Sequence, residues 1–120
     1  MEILSNIVKV VIALSLLNVW ILRFNKMTPY RGGQAQNMKE EFTAYGLPKW
    51  FMYAIGVLKI GFALLLLASI FYPGLEKISL YGIGLLMLGA IGMHLKIKDI
   101  MLKSLPALML FLLTVFVMLA

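Results

Sequence analysis

The chain has no cysteine, one histidine and five carboxylates among its 120 residues. Without cysteine there are no disulfides, no thiol redox chemistry and no thiolate-held zinc or iron–sulfur group. A single histidine and so few acids supply neither a metal cluster nor a convincing nucleophile–base pair, so no catalysis by this chain alone is expected. Charge of either sign is scarce: 13% of residues are charged, 62% are hydrophobic, and mean hydropathy is +0.97. That balance excludes an ordinary soluble fold and fits one polytopic integral-membrane domain, residues 1–120. The formal charge of +6 falls in loops between apolar runs, which marks topology, and no nucleic-acid partner is expected.

What the chain does have is long apolar runs. Four spans are predicted, at about 3–22, 50–72, 78–95 and 100–119, giving an all-α bundle of four transmembrane helices in a lipid bilayer. The second run, WFMYAIGVLKIGFALLLLASIFY, is aromatic at both ends and carries one charge, Lys59. At about 1.5 Å per residue, Lys59 starts about 13 Å beyond Trp50, near the middle of a hydrocarbon core of about 30 Å. An ammonium there is expected to face protein or water, although a lysine can also snorkel to the interface and only pack. Met52, Gly56, Lys59 and Ala63 share one helical face, whose small residues admit a neighbouring helix.

In the first run, Lys9 lies near the helix start and is read as snorkelling outward. Asn18 lies nearer the other end, either as interhelical glue or as a ligand. In the third, Gly82 and Gly89 stack on one face with Gly92 on its shoulder, which predicts the closest helix packing there. His94 ends that run, as a helix-dipole partner or as part of a site. In the fourth, Pro106 comes early enough to be tolerated or to kink mildly.

The first loop is the longest polar segment. TPYRGG is turn chemistry, and QAQNMKEEFTAYG then predicts a short interfacial amphipathic helix over 34–45. Met38, Phe42 and Tyr45 form its apolar face, Gly46 its cap, and Pro48 prevents continuation. Glu40 and Glu41 are the acids that most closely precede Lys59, on its cytoplasmic side, and Glu41 is the expected counter-ion, with Glu76, on the opposite side, as the distant control. Basic residues gather in the first loop (Arg23, Lys26, Arg31, Lys39, Lys49) and after the third span (Lys96, Lys98, Lys103). The positive-inside rule places both these loops in the cytoplasm and both termini outside.

YGLPKWFMYAIGVLKIGFALLLL, GIGLLMLGAIGMHL with Asp99 close behind, and LPALMLFLL together resemble the DoxX-like family of small bacterial membrane proteins, from about Phe24 to the end. The pattern is Gly-Leu-Pro at 46–48, Gly56 and Lys59 inside the second span, and Gly89, Ala90 and His94 closing the third. The family takes its name from a protein associated with a thiosulfate:quinone oxidoreductase or terminal oxidase. The resemblance therefore implies the bacterial cytoplasmic (inner) membrane, association with redox partner subunits, and weight on Lys59 and His94.

Three functions compete. The first is an accessory subunit of a membrane redox complex, binding a quinone-like or lipid-like amphiphile between its helices. Its candidate ligand-binding residues are Lys59, His94, Glu41, Asn18, Tyr45 and Gly56, with no covalently bound cofactor and no metal. The second is a small transporter of an anionic or lipophilic substrate. The third is a purely structural partner of another membrane protein; a homo-oligomer is also compatible with the sequence.

Overall fold

The computed structural model describes residues 2–26 and 30–120 of the chain. Helix α1 spans Glu2–Leu17 and runs on into one turn of π-helix, Asn18–Leu22. Next come the short helix α2 (Met38–Tyr45) and the long helix α3 (Lys49–Ala68). A 3₁₀ turn at Pro73–Leu75 leads into α4 (Glu76–Lys96), and α5 (Met101–Leu119) completes the chain. Four stretches are long and apolar enough to cross a membrane: Glu2–Leu22, Lys49–Ala68, Pro73–Lys96 and Met101–Leu119. Among the described residues there are no strands.

Several boundaries differ from expectation for local reasons. α2 starts at Met38 instead of residue 34, because the Asn37 side chain accepts the Glu40 N–H at 2.9 Å and caps the helix there. The Glu40 carboxylate returns a hydrogen bond from the Gln36 N–H at 3.3 Å, so Glu40 serves as a surface cap. α3 ends at Ala68 instead of running to Tyr72. There Ser69 turns its hydroxyl back to the Leu66 carbonyl at 2.6 Å, and Phe71 and Tyr72 follow in an exposed turn.

The apolar face of each long helix points both inward and outward. Val57 on α3 and Leu85 on α4 are each 71% exposed in the isolated chain, although both lie mid-helix. Side chains of that kind are at home in lipid, and the protein is a membrane protein whose outer surface requires a bilayer. Inside, Ile12, Ala13, Leu16, Ala63, Leu66, Leu80, Ile83, Met87 and Val117 make one core. A second, aromatic cluster of Trp20, Met38, Phe42, Tyr45 and Met52 closes the end where α2 folds over the bundle.

In lipid, helix association draws little from the hydrophobic effect, so close packing and polar contacts between helices carry the bundle. The close approaches occur at Gly56, where an added Cβ would lie 2.8 Å from the Trp20 ring, and at Gly82, where it would lie 2.5 Å from Phe62. Gly89 and Gly92 meet nothing within 4 Å, so the tight seam expected along Gly82, Gly89 and Gly92 reduces to Gly82 alone. Lys9 has a structural role: it is buried and its ammonium reaches Glu76 at 3.3 Å, joining the middle of α1 to the start of α4.

Candidate functional site, a buried polar network under the first loop

Two sharp helix ends build the site. α2 ends with the Gly46 N–H on the Thr43 carbonyl at 3.0 Å and the Leu47 N–H on the Phe42 carbonyl at 2.9 Å, Gly46 being left-handed at φ 78°. This paired 6→1 and 5→2 closure is the Schellman arrangement. α4 ends in the same way: Lys98 donates to the Leu95 carbonyl at 3.1 Å and Asp99 to the His94 carbonyl at 2.9 Å. Its left-handed residue is Lys98, at φ 57°. A side chain in that conformation carries about 1–2 kcal/mol of strain. The closure folds Asp99 back over the last turn of α4, where Asp99 Oδ2 meets His94 Nδ1 at 2.7 Å.

The network grows from that pair. His94 Nε2 lies 3.3 Å from the Tyr45 hydroxyl, and that hydroxyl donates to Glu41 Oε2 at 2.7 Å. Glu41 Oε1 accepts from Arg31 at 3.0 Å, and Oε2 also accepts the Gly32 N–H at 2.9 Å. The neighbouring Gly33 N–H donates to Asp99 Oδ1 at 3.0 Å. Adjacent backbone amides of the RGG turn thus hold the two carboxylates at either end of the chain Glu41–Tyr45–His94–Asp99. Both glycines are required here. Gly32 lies against the Tyr45 ring, where a Cβ would sit 2.6 Å from a ring carbon, and Gly33 is left-handed at φ 58°.

Arg31, only 4% exposed, fixes the other boundary. Its guanidinium donates to the carbonyls of Arg23, Phe24 and Lys26, just past the π turn, so it caps the first span while neutralising Glu41. Lys103 donates to the Gly33 carbonyl and stands 3.9 Å from Asp99. Lys96 donates to the Tyr45 carbonyl at 3.1 Å. Among the described residues every fully buried side-chain nitrogen and oxygen has a partner. Burial first, and then the neighbouring Glu41 carboxylate, push the Tyr45 phenol well above its usual range, so it stays a neutral donor.

Lys59 lies beside this network without joining it. Met52, Gly56 and Ala63 of its helical face are buried and Lys59 is half-buried. Its ammonium sits 5.2 Å from the centre of the Trp20 ring. The π turn provides that ring: Arg23 donates to the Asn18 carbonyl at 2.9 Å, and the extra residue per turn brings Trp20 inward onto Gly56. Trp20 also makes edge contact with Phe42, at 5.9 Å between centroids, and so connects Lys59 to the cluster under α2.

Of the six candidates, Glu41, Tyr45 and His94 meet in one network, and Lys59 and Gly56 meet through Trp20. Asn18 does not belong: it is exposed, and Trp20 of the same turn is the residue beside Lys59. The expected Lys59–Glu41 ion pair is not formed either. Glu41 is committed to Arg31, and among the described residues no carboxylate lies within 4.0 Å of Lys59. His94 is more than a helix-dipole partner, being hydrogen-bonded on both ring nitrogens.

The residues missed in the sequence are Trp20, Arg31, Gly32, Gly33 and Lys103. Arg31 and Lys103 had been taken as topology charges and the glycines as plain turn formers, while Trp20 had been given no role. The usable signal was Arg-Gly-Gly itself, a cation with two unhindered amides close to a paired Glu41 and Tyr45 on one helix face. Among the described residues no three His, Cys, Asp or Glu side chains gather as metal ligands.

No curated protein and no solved structure matches the chain. The sequence model of the DoxX-like family matches from residue 7 to residue 117, taking in the first span, with Trp20, that the resemblance had left aside. The chain belongs to the DoxX-like family.

Proposed function

We propose that this membrane protein is an accessory subunit of a membrane redox complex and holds a quinone-like or lipid-like amphiphile against Trp20 and Lys59. The observation that carries the reading is the Lys59 ammonium, half-buried within an apolar span, resting on an aromatic face with no acid of the described residues in ion-pair reach. A cation in that setting is matched by a ligand with an oxygen-rich head and an apolar tail. Gly56 contributes by letting Trp20 lie flat against α3. The concentration of basic residues at the α2 end supports a cytoplasmic first loop and external termini in the bacterial inner membrane. The test is photo-crosslinking in native membranes with an azido-quinone. Labelling is expected on peptides carrying Trp20 and Lys59 and is expected to disappear in Lys59→Leu. Undiminished labelling in that variant would sink the proposal. Cysteine introduced at Gln36 should resist an impermeant reagent in intact cells while Lys77→Cys reacts, and the opposite pattern would invert the topology.

A further inference from the structure

We propose that Asp99, His94, Tyr45 and Glu41 form a proton-transfer chain leading from the α4–α5 turn to the side of the protein where Lys59 lies. The inference rests on the ligand reading above, since it supplies the proton that an anionic head bound at Lys59 would take up.

The geometry is that of a relay. Three consecutive contacts, 2.7, 3.3 and 2.7 Å, join four titratable groups in single file. Each intermediate member both gives and receives: imidazole through its two nitrogens, the phenol through its one oxygen. The carboxylates at the two ends are each steadied by a backbone amide and a cation, Gly32 and Arg31 for Glu41, Gly33 and Lys103 for Asp99. A purely structural clamp needs only the Arg31–Glu41 and His94–Asp99 pairs; the Tyr45 hydroxyl that joins them adds a continuous path.

One transfer moves one proton and no electrons. The starting state has a proton on Asp99 Oδ2, an ionised Glu41, and neutral His94 carrying its hydrogen on Nε2. The Oδ2–H bond breaks as a bond to Nδ1 forms, the Nε2 hydrogen passes to the Tyr45 oxygen, and the former phenolic hydrogen passes to Glu41 Oε2. Asp99 ends ionised, Glu41 neutral and His94 in its other tautomer. Tyr45 never becomes an anion, in keeping with its suppressed acidity. Entry is from the Lys103 edge, where that side chain is 22% exposed while those of His94 and Asp99 are 6%. At the other end Glu41 adjoins Phe42, whose ring meets Trp20, the ring on which Lys59 rests. The remaining cations around the path are Arg31 on the first loop and Lys96 on α4.

The test uses the full chain in lipid nanodiscs with 2-hydroxy-3-undecyl-1,4-naphthoquinone, an acidic amphiphile whose coloured anion bleaches on protonation. Stopped-flow acidification then reads the protonation rate of the bound dye, each variant being compared at saturating dye. Tyr45→Phe and His94→Gln are each expected to slow bleaching at least tenfold. Should one variant fail to fold, judged by thermal melting, Asp99→Asn replaces it. Wild-type rates in the folded variants would overturn the relay and leave the ligand reading standing. Failure of the wild-type protein to bind the dye, or undiminished binding by Lys59→Leu, would overturn the ligand reading and the relay with it.

Discussion

Replacing Glu41 with glutamine tests the keystone of the network. The amide keeps the size of the carboxylate but turns one oxygen into a donor and removes the charge. If the nitrogen takes the place of Oε1 it faces an Arg31 N–H, and in the place of Oε2 it faces the Gly32 N–H and the Tyr45 hydroxyl. Either way a buried donor loses its acceptor, which costs about 1–3 kcal/mol. Arg31, 4% exposed, is also left without its counter-charge. Breaking one side of a buried pair generally costs about 3–5 kcal/mol. The carbonyls of Arg23, Phe24 and Lys26 continue to hold the guanidinium, so the lower end of that range, about 3 kcal/mol, is the expected loss for Glu41→Gln. Equilibrium unfolding in mixed micelles, titrated with sodium dodecyl sulfate and followed by tryptophan fluorescence, measures it directly. The double variant Arg31→Met/Glu41→Gln should recover a large part of the loss, because no lone buried charge remains. Glu76→Gln is no longer a neutral control, since Glu76 pairs with Lys9, whose side chain is only 7% exposed; Glu76 itself is 32% exposed, so water screens the pair in part and the expected loss is smaller, about 1–2 kcal/mol. A Glu41→Gln protein within about 0.5 kcal/mol of wild type, or one no weaker than Glu76→Gln, would refute the reasoning.

Lys98→Gly should stabilise the protein by about 1 kcal/mol by relieving its left-handed backbone, and Lys98→Val should do the reverse, both read by the same unfolding titration. Gly56→Ala should lose about 1–3 kcal/mol as its Cβ meets the Trp20 ring, whereas Gly89→Ala, which meets nothing, should gain up to about 1 kcal/mol of helix propensity. Tyr45 holds its proton more tightly folded than unfolded, so its stabilising share is complete below its ordinary value of 10.0 and is lost as pH rises beyond it. Melting temperature should therefore fall more steeply above about pH 10 in the wild type than in Tyr45→Phe, and parallel curves would remove that linkage.

How far the site could be read from the sequence depended on the range of each interaction. Met38, Phe42 and Tyr45 announced one helix face and Gly46 its end, because such patterns are settled within a few residues. The same local logic put Met52, Gly56 and Ala63 on the inner face of α3, where all three are buried. Asn18 misled because placing it on an inner face assumes a regular helix. The π turn at Asn18–Leu22 shifts the register, leaving Asn18 exposed and bringing Trp20 to Lys59. Glu41 was singled out for the right region but given the wrong partner, since nothing in the order of residues says that Arg31 comes to rest between Glu41 and the carbonyls that follow the first span.

By itself, then, the sequence determined the four apolar spans, the asymmetry of basic charge between the loops, the capped amphipathic helix and the membership of a membrane-protein family. Each of these follows from hydropathy, periodicity or short-range turn chemistry, which a linear chain carries in full. Tertiary structure alone decided that Arg31 claims Glu41, that Gly32 and Gly33 join two carboxylates, that Lys9 finds Glu76, and that Lys59 keeps an aromatic ring for company instead of an acid. The physical reason is that buried polar groups must all be satisfied together. Which donor takes which acceptor is settled by where the helices come to rest, with partners as distant in sequence as Gly33 and Asp99.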